Sequence, residues 1–373
     1  MLLKKGIEVE QYTGQKDGQV LPLAALVSSN LPGFTVEPDQ RNVEYVTPPV
    51  YDYDELLLNL IEPRMRLREF LQKNNSDWTV VPGSTLSLPF DKTFQFSKPE
   101  DPYHQHIKIT HGLSIITTGL HYNFGIDDPE QLIRLVNLIR MEAPLILALS
   151  ACSPFYDGEV TGNQSHRWIS FPKVPQFVPF FKDHAHFIDW NNQTIDAGKM
   201  FNVRHLWSAV RPNGNNRPTD INRLEVRIAD LSTSWDVILA ITAWIELRVH
   251  YFLSNPDYEV PSDDISLITL SDENETSAGQ MGLAGSFSDW LLEEETTVFG
   301  AIEERLASIY PIATKLGIAP LLKPIENILT DGNEASQRLE KFHEGYSINQ
   351  IMEDWVEDSL EEDLRKANVL EIV

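Results

Sequence analysis

Gly6-Ile-Glu-Val-Glu-Gln-Tyr12 decides the fold class. At period two, Glu8 and Glu10 point to one face of a strand while Ile7 and Val9 point to the other. Neighbouring carboxylates repel unless water screens them or a cation lies between them. The segment therefore reads as a strand with an apolar face to cover and a polar face to neutralise. An exposed edge strand accounts for the same alternation without a cation.

Three further segments repeat the pattern. In Glu37-Pro-Asp-Gln-Arg-Asn-Val-Glu44-Tyr-Val-Thr-Pro-Pro49, Glu44 interrupts a β-branched and aromatic run. In Thr118-Gly-Leu-His-Tyr-Asn-Phe-Gly-Ile126, His121 and Asn123 share one face, and Leu120, Tyr122 and Phe124 share the other. In Arg223-Leu-Glu-Val-Arg-Ile-Ala-Asp230, Glu225 and Arg227 lie opposite Leu224, Val226 and Ile228. A satisfied histidine and an intrastrand ion pair are the plain explanations. The chemical one is that a hard cation such as Mg²⁺ takes oxygen ligands, which separate strands supply, while a guanidinium beside them suits phosphate.

Outward from these strands, residues 6–12, 42–47, 78–88 and 114–125 read as extended, and Asp54 to Lys73 as a helix with Pro63 inside it. A second helix starts at Asp127-Asp-Pro-Glu130, an Asp cap followed by Pro. A third starts near Thr233, with Asp236 as a capping partner, and carries Val237 to Phe252. Residues 256–285, rich in Ser, Asp, Glu and Asn, read as a polar linker after a core of residues 1–255. Residues 286–373 read as an acidic, wholly helical region whose Glu293-Glu-Glu295 and Glu361-Glu-Asp363 runs are solvated helix faces. The fold class is α+β, with helices packed on a mainly antiparallel sheet.

The 373 residues are 42% hydrophobic, enough for a sizeable core. Thirty Lys and Arg against 55 Asp and Glu give a net charge of −25, so the average surface field repels nucleic acid and anionic membranes. Cys152 is the only cysteine, which excludes an internal disulfide and a Cys-rich zinc site. Its apolar neighbours suggest a structural thiol. Glu8 arrives before an apolar signal region could form, and Glu246 and Arg248 interrupt the longest apolar stretch, so a cytoplasmic protein is expected. No Gly-x-x-x-x-Gly-Lys-Ser/Thr loop or Ser-His-Asp arrangement stands out, which leaves phosphate binding to metals.

In combination, several motifs resemble the glutamate-cysteine ligases, most closely the cyanobacterial type, over roughly residues 5 to 255. They are the Glu-x-Glu strand, Val43-Glu-Tyr-Val-Thr-Pro48, Pro82-Gly-Ser-Thr-Leu-Ser87, the Gly-Leu-His-Tyr-Asn-Phe strand, Leu149-Ser-Ala-Cys-Ser-Pro-Phe155 and the Leu-Glu-Val-Arg-Ile-Ala-Asp strand. The resemblance implies a glutamine-synthetase-like fold: a curved antiparallel sheet forming a funnel, with Mg²⁺ and ATP at one end and glutamate at the other. It implies Glu8, Glu10, Glu44, His121 and Glu225 as metal-site residues, with Glu37 or Asp39 adding a carboxylate and the spacing to Glu44 favouring Glu37. Asn123, Tyr122 and Arg167 are implied for glutamate, and Arg227, acting catalytically with Glu225, for the phosphate side. The implied reaction joins the γ-carboxylate of glutamate to cysteine through γ-glutamyl phosphate, the first step of glutathione biosynthesis. The alternatives are a related carboxylate-amine ligase with another acceptor and a catalytically silent binding protein of the same fold.

Overall fold

The computed structural model of the chain describes residues 1–262 and 264–372. Seven strands form the main sheet: β1 (Lys5–Gln15), β2 (Phe34–Val36), β3 (Asn42–Val46), β4 (Trp78–Val81), β5 (Leu120–Gly125), and, after the two-residue pair β6 (Phe155–Tyr156) and β7 (Glu159–Val160), β8 (Val210–Asn213) and β9 (Arg223–Val226). Their order is β2-β3-β1-β5-β9-β8, antiparallel throughout, with β4 also paired to β1. Pro212 is tolerated because β8 ends the sheet. A hairpin, β10 (Ser286–Asp289) and β11 (Glu294–Thr297), lies outside it.

Among the described residues, twelve α-helices accompany the strands: α1 (Ala24–Asn30), α2 (Tyr53–Asn74), α3 (Pro102–His111), α4 (Pro129–Ser150), α5 (His166–Ser170), α6 (His184–Asp196), α7 (Trp235–Ser254), α8 (Ile265–Met281), α9 (Val298–Leu316), α10 (Lys323–Asp331), α11 (Glu334–His343) and α12 (Ile348–Val369). Helix α2 contains Pro63 as expected, and Asp128 caps α4 through the amides of Glu130 and Gln131. Helix α7 is capped by Ser234, whose hydroxyl accepts from the Val237 amide, rather than by Thr233. By length and composition α7 could cross a membrane, but 72% of its most apolar window is buried within the protein. Its charged residues are paired inside, Glu246 with Lys5 at 3.1 Å and Arg248 with Glu142 at 2.7 Å.

The alternation in the sequence is realised as two faces. Ile7, Val9, Val43, Tyr45, Leu120, Tyr122, Phe124, Leu224 and Val226 are all buried in the hydrophobic core. Helix α4 lies against β8 and β9 and packs on α7. The other face carries the charged residues.

Two expected regions differ. The polar 256–285 linker contains α8, whose Ser271, Asn274 and Glu275 are buried. Asn274 exchanges hydrogen bonds with the Ser288 backbone at 2.9 and 3.0 Å, and Glu275 accepts from the Trp168 indole at 3.1 Å, so polar composition here marks internal partners. Residues 286–373 are not wholly helical, because Glu293-Glu-Glu295 lies at the turn and second strand of the β10–β11 hairpin. Nor is the Glu361-Glu-Asp363 run wholly solvated. Asp363 is buried and accepts from the Trp235 indole at 2.7 Å and from Arg68, which also donates to Thr79 and Ser359 at 2.8 Å each. This network ties α12 to α2, β4 and α7. Removing one member of a buried pair strands the other charge, so Asp363→Ala should cost about 3–5 kcal/mol in urea unfolding. A loss under about 1 kcal/mol would show that the tie carries little of the stability.

Candidate active site

The polar face of the sheet is a register of charged rows. Glu10 stands opposite Glu44, Glu8 opposite His121, and Asn123 and Arg211 flank Glu225 from either side. Because each strand places only alternate residues on this face, the carboxylates arrive there from three strands that are distant in sequence. Glu8, Glu10 and Glu44, joined by Glu37 from the segment after β2, line a cavity of about 360 Å³; Glu225 is fully buried and not among its lining residues.

Two groups of ligand atoms form, each with its members within 4.8 Å of one another: Glu8, His121 and Glu225, and Glu10, Glu37 and Glu44. His121 bridges them, its Nδ1 2.9 Å from Glu8 and its Nε2 3.6 Å from Glu10. In the second group no Lys or Arg among the described residues forms an ion pair with the acids. Burial first, then the charges of Glu44 and Glu10, pushes the Glu37 carboxyl well up. Burial, then Glu8 and Glu10, raises Glu44. Clustered carboxylates with raised affinity for protons fit a hard divalent cation such as Mg²⁺.

The first group is balanced differently. Burial raises Glu8, but the His121 hydrogen bond and the Arg227 charge outweigh it and hold Glu8 below the ordinary carboxylate value. Glu225 is fully buried, and burial is overcome by Arg211 and Arg227, which hold it well below. Its oxygens accept from Arg211 at 2.7 and 3.0 Å, Asn213 at 2.7 Å and Arg227 at 2.7 Å. Glu225 thus lies at ligand distance from Glu8 and His121 while serving as the anchor of two guanidiniums.

Of the alternatives Glu37 and Asp39, the structure brings Glu37 into the acidic group. Asp39 is buried against Arg41, which donates to its two oxygens at 2.7 and 2.9 Å. Tyr122 requires a correction: it lies on the core face, fully buried, because it alternates with His121 and Asn123, and it cannot reach a ligand in the cavity. Asn123 donates to Glu8 at 3.3 Å and is not among the cavity-lining residues, so it braces a carboxylate.

Arg167 and Arg227 both line the cavity. Arg167 donates to the carbonyls of Ile228 and Arg227 at 3.1 Å each, while its Nε has no partner. Its position explains two motifs. Buried Asp230 accepts from the Cys152 amide and the Ser153 and Ser165 hydroxyls at 3.0, 2.7 and 2.8 Å, fixing the Leu-Ser-Ala-Cys-Ser-Pro-Phe stretch beside α5, which carries Arg167. Gly119 is needed because a Cβ there would stand 2.2 Å from the Arg167 guanidinium. Cys152 donates to the Leu231 carbonyl at 3.2 Å, and burial followed by the Asp230 charge pushes its thiol well up, as suits a structural residue.

The sequence reading missed Arg204, Arg211, Arg217 and Arg223, which also line the cavity, with Tyr103 and Trp207 beside them. Arg211 and Asn213 alternate across a strand, but Pro212 between them hides the pattern.

The model of glutamate-cysteine ligase family 2 matches residues 4–362. The protein of Gloeobacter violaceus named "Putative glutamate--cysteine ligase 2" is 30% identical over 240 residues, 63% of this chain and 62% of that protein. Its namesake in Solibacter usitatus is 29% identical over 268 residues, 70% of this chain and 67% of that protein. The alignment thus spans less than two thirds of the length of the Gloeobacter relative. Among solved structures, the glutamate–cysteine ligase of Francisella tularensis in complex with AMP superposes with a TM-score of 0.77 at 14% identity, covering 97% of this chain and 89% of that one. The bifunctional glutathione synthetase of Pasteurella multocida gives 0.78 at 16% identity, covering 98% and 53%. At these identities the superpositions establish a shared fold.

The acidic group yields a signed expectation for the metal-free protein. Glu37 and Glu44 have folded-state pKa values above their ordinary ones, so their contribution to stability is complete below the ordinary carboxylate range and is lost as pH rises through the raised values. Near pH 8, Glu37→Gln should therefore raise the metal-free thermal midpoint by roughly 1–2 °C and shrink the further rise produced by millimolar Mg²⁺. Asp39→Asn should lower the midpoint and leave the Mg²⁺ effect intact. An undiminished Mg²⁺ response in Glu37→Gln would remove Glu37 from the cation site.

Proposed function

Because the chain belongs to glutamate-cysteine ligase family 2, we propose that its cavity uses ATP to activate the side-chain carboxylate of glutamate and passes it to the amine of cysteine. The observation that carries this is a single cavity lined both by the carboxylates of Glu8, Glu10, Glu37 and Glu44 and by guanidiniums that include Arg167 and Arg227. A substrate pair that joins metal-bound phosphates to an amino-acid carboxylate matches both sets of groups.

Amide formation from a free carboxylate and an amine is uphill in water, so the carboxylate must first become an electrophile. Its oxygen attacks the γ-phosphorus of ATP, ADP leaves, and the amine displaces phosphate from the resulting acyl phosphate. Phosphoryl transfer asks mainly for positioning and for stabilisation of charge on the transferring oxygens. Mg²⁺, held by Glu10, Glu37 and Glu44 and by Glu8 with His121 and Glu225, would supply part of that charge stabilisation when bound.

The chain's own residues supply the rest. Arg227, fixed by Glu225, faces the phosphoryl oxygens. Arg167, stacked over Gly119 and steadied by two carbonyls, grips the α-carboxylate of glutamate so that only the side-chain carboxylate reaches the phosphate. His121, donating from Nδ1 to Glu8 with its Nε2 turned toward Glu10, keeps the two acidic groups in register. No enzyme nucleophile is required, in keeping with the buried Cys152 thiol.

ADP release in the presence of Mg-ATP should require glutamate and be fastest with cysteine across a panel of amines; equal rates with unrelated amines would make this a carboxylate-amine ligase of another specificity. In the same assay Arg167→Lys should chiefly raise the KM for glutamate, because an ammonium cannot reproduce a bidentate fork. Gly119→Ala should do the same at a distance by displacing that guanidinium. Arg227→Lys should instead lower kcat, by on the order of 10² or more. The opposite pattern would reverse the orientation of glutamate in the cavity.

A further inference from the structure

Six arginines line the cavity: Arg167, Arg204, Arg211, Arg217, Arg223 and Arg227. Most have evident partners. Arg211 and Arg227 are bonded to Glu225, Arg167 to backbone carbonyls, and Arg223 to the side chains of Asn222 and Asn213 at 3.3 Å each. Arg204 is exposed, its guanidinium 5.7 Å from the Tyr103 ring centre.

Arg217 is the exception. Its side chain is only 13% exposed, yet its Nη1 is buried with no hydrogen-bond partner among the described residues. The nearest carboxylate oxygen of its ion pair, Glu225 Oε2, is 4.0 Å away and already accepts from Arg211 and Asn213 at 2.7 Å each. Three guanidiniums thus converge on a single buried negative charge. Such an arrangement is costly unless a further anion joins it.

The segment holding Arg217 is built to stay in place. It belongs to the connection between β8 and β9, and the neighbouring Pro218 carbonyl is 3.0 Å from His184 Nε2. Gly214, at the start of that connection, lies so close to the Asp220 carbonyl that a Cβ would stand 1.9 Å from it. A guanidinium that lines the cavity on a closed loop, with an Nη1 that has no hydrogen-bond partner among the described residues, is a preorganised anion contact rather than a surface side chain free to turn to water.

Arg211, Arg217 and Arg227 outnumber the adjacent carboxylates Glu225 and Glu8 by one, and Arg217 is the guanidinium left without an acceptor, whereas a chain of phosphates offers several acceptor oxygens in a row. We propose that Arg217 grips the polyphosphate tail of the nucleotide, a contact distinct from those of Arg167 and Arg227; the proposal rests on reading the cavity as that of an ATP-dependent ligase. Arg217 would then act before chemistry, by holding the nucleotide.

Equilibrium binding of ADP with Mg²⁺, of inorganic tripolyphosphate, of adenosine and of glutamate to the full chain tests this without turnover. Arg217→Ala should weaken ADP and tripolyphosphate at least about tenfold, Arg217→Lys should restore part of that loss, and adenosine and glutamate should bind as before. The unliganded thermal midpoint should be unchanged or slightly raised, since the substitution relieves like-charge crowding. Unchanged tripolyphosphate affinity in Arg217→Ala, or a loss confined to glutamate, would overturn the proposal while leaving the ligase reading standing. A midpoint lowered in both variants would assign Arg217 a structural role and overturn it as well. Should the unaltered chain bind neither ADP nor tripolyphosphate, the ligase reading itself would fall, and this inference with it.

Discussion

Like charges crowded on one face of a sheet are the constraint on which the rest of this structure depends. Glu8, Glu10, Glu37 and Glu44 line one cavity, where burial first and then the neighbouring carboxylate charges raise the pKa values of Glu37 and Glu44. Such a face holds its shape only if the opposite face is bound tightly enough to tolerate it. The buried residues of β1, β3, β5 and β9, in one core with those of α2, α4 and α7, supply that burial at about 25 cal/mol per Å² of apolar surface. Placing Glu8, Glu10 and Glu44 on strands fixes their spacing to the pleat, with Glu37 added from the segment just after β2, so a cation or a phosphate meets a preformed array.

The same logic extends to residues that touch no substrate. Glu225 holds two guanidiniums, Asp230 ties the Cys152 segment to the helix of Arg167, and Gly119 leaves room for that arginine. Asp363 fastens the last helix to Arg68 and Trp235 behind the sheet. Glu225, Asp230 and Asp363 are buried polar groups with satisfied partners, the condition under which internal polarity rigidifies a structure instead of weakening it.

Much of this was legible in the sequence because a strand has period two. Alternation put Glu8 with Glu10, His121 with Asn123 and Glu225 with Arg227 on the polar side of each strand, the family resemblance implied a common site for the acids, His121 and Glu44, and the register brings those strands side by side. The same alternation put Tyr122 on the apolar face. Assigning it to the substrate followed motif adjacency against the pleat, and the pleat prevailed. Polar composition misled at residues 256–285 and at Asp363 because a buried, hydrogen-bonded Asn, Glu or Asp has the same letter as a solvated one. Arg211 and Asn213 were overlooked because a proline within a four-residue edge strand breaks the expected pattern. The choice between Glu37 and Asp39 turned on Arg41, a pairing within two residues that sequence alone does not orient.

The central claim is that the side-chain carboxylate of glutamate passes through an acyl phosphate, and oxygen transfer tests it most directly. Glutamate labelled with ¹⁸O in its γ-carboxylate would be turned over with Mg-ATP and cysteine, and the released inorganic phosphate examined by mass spectrometry. The account predicts one labelled oxygen in each phosphate formed, because the bridging oxygen leaves with phosphorus when the amine attacks carbon. Unlabelled phosphate accompanying amide product would contradict it.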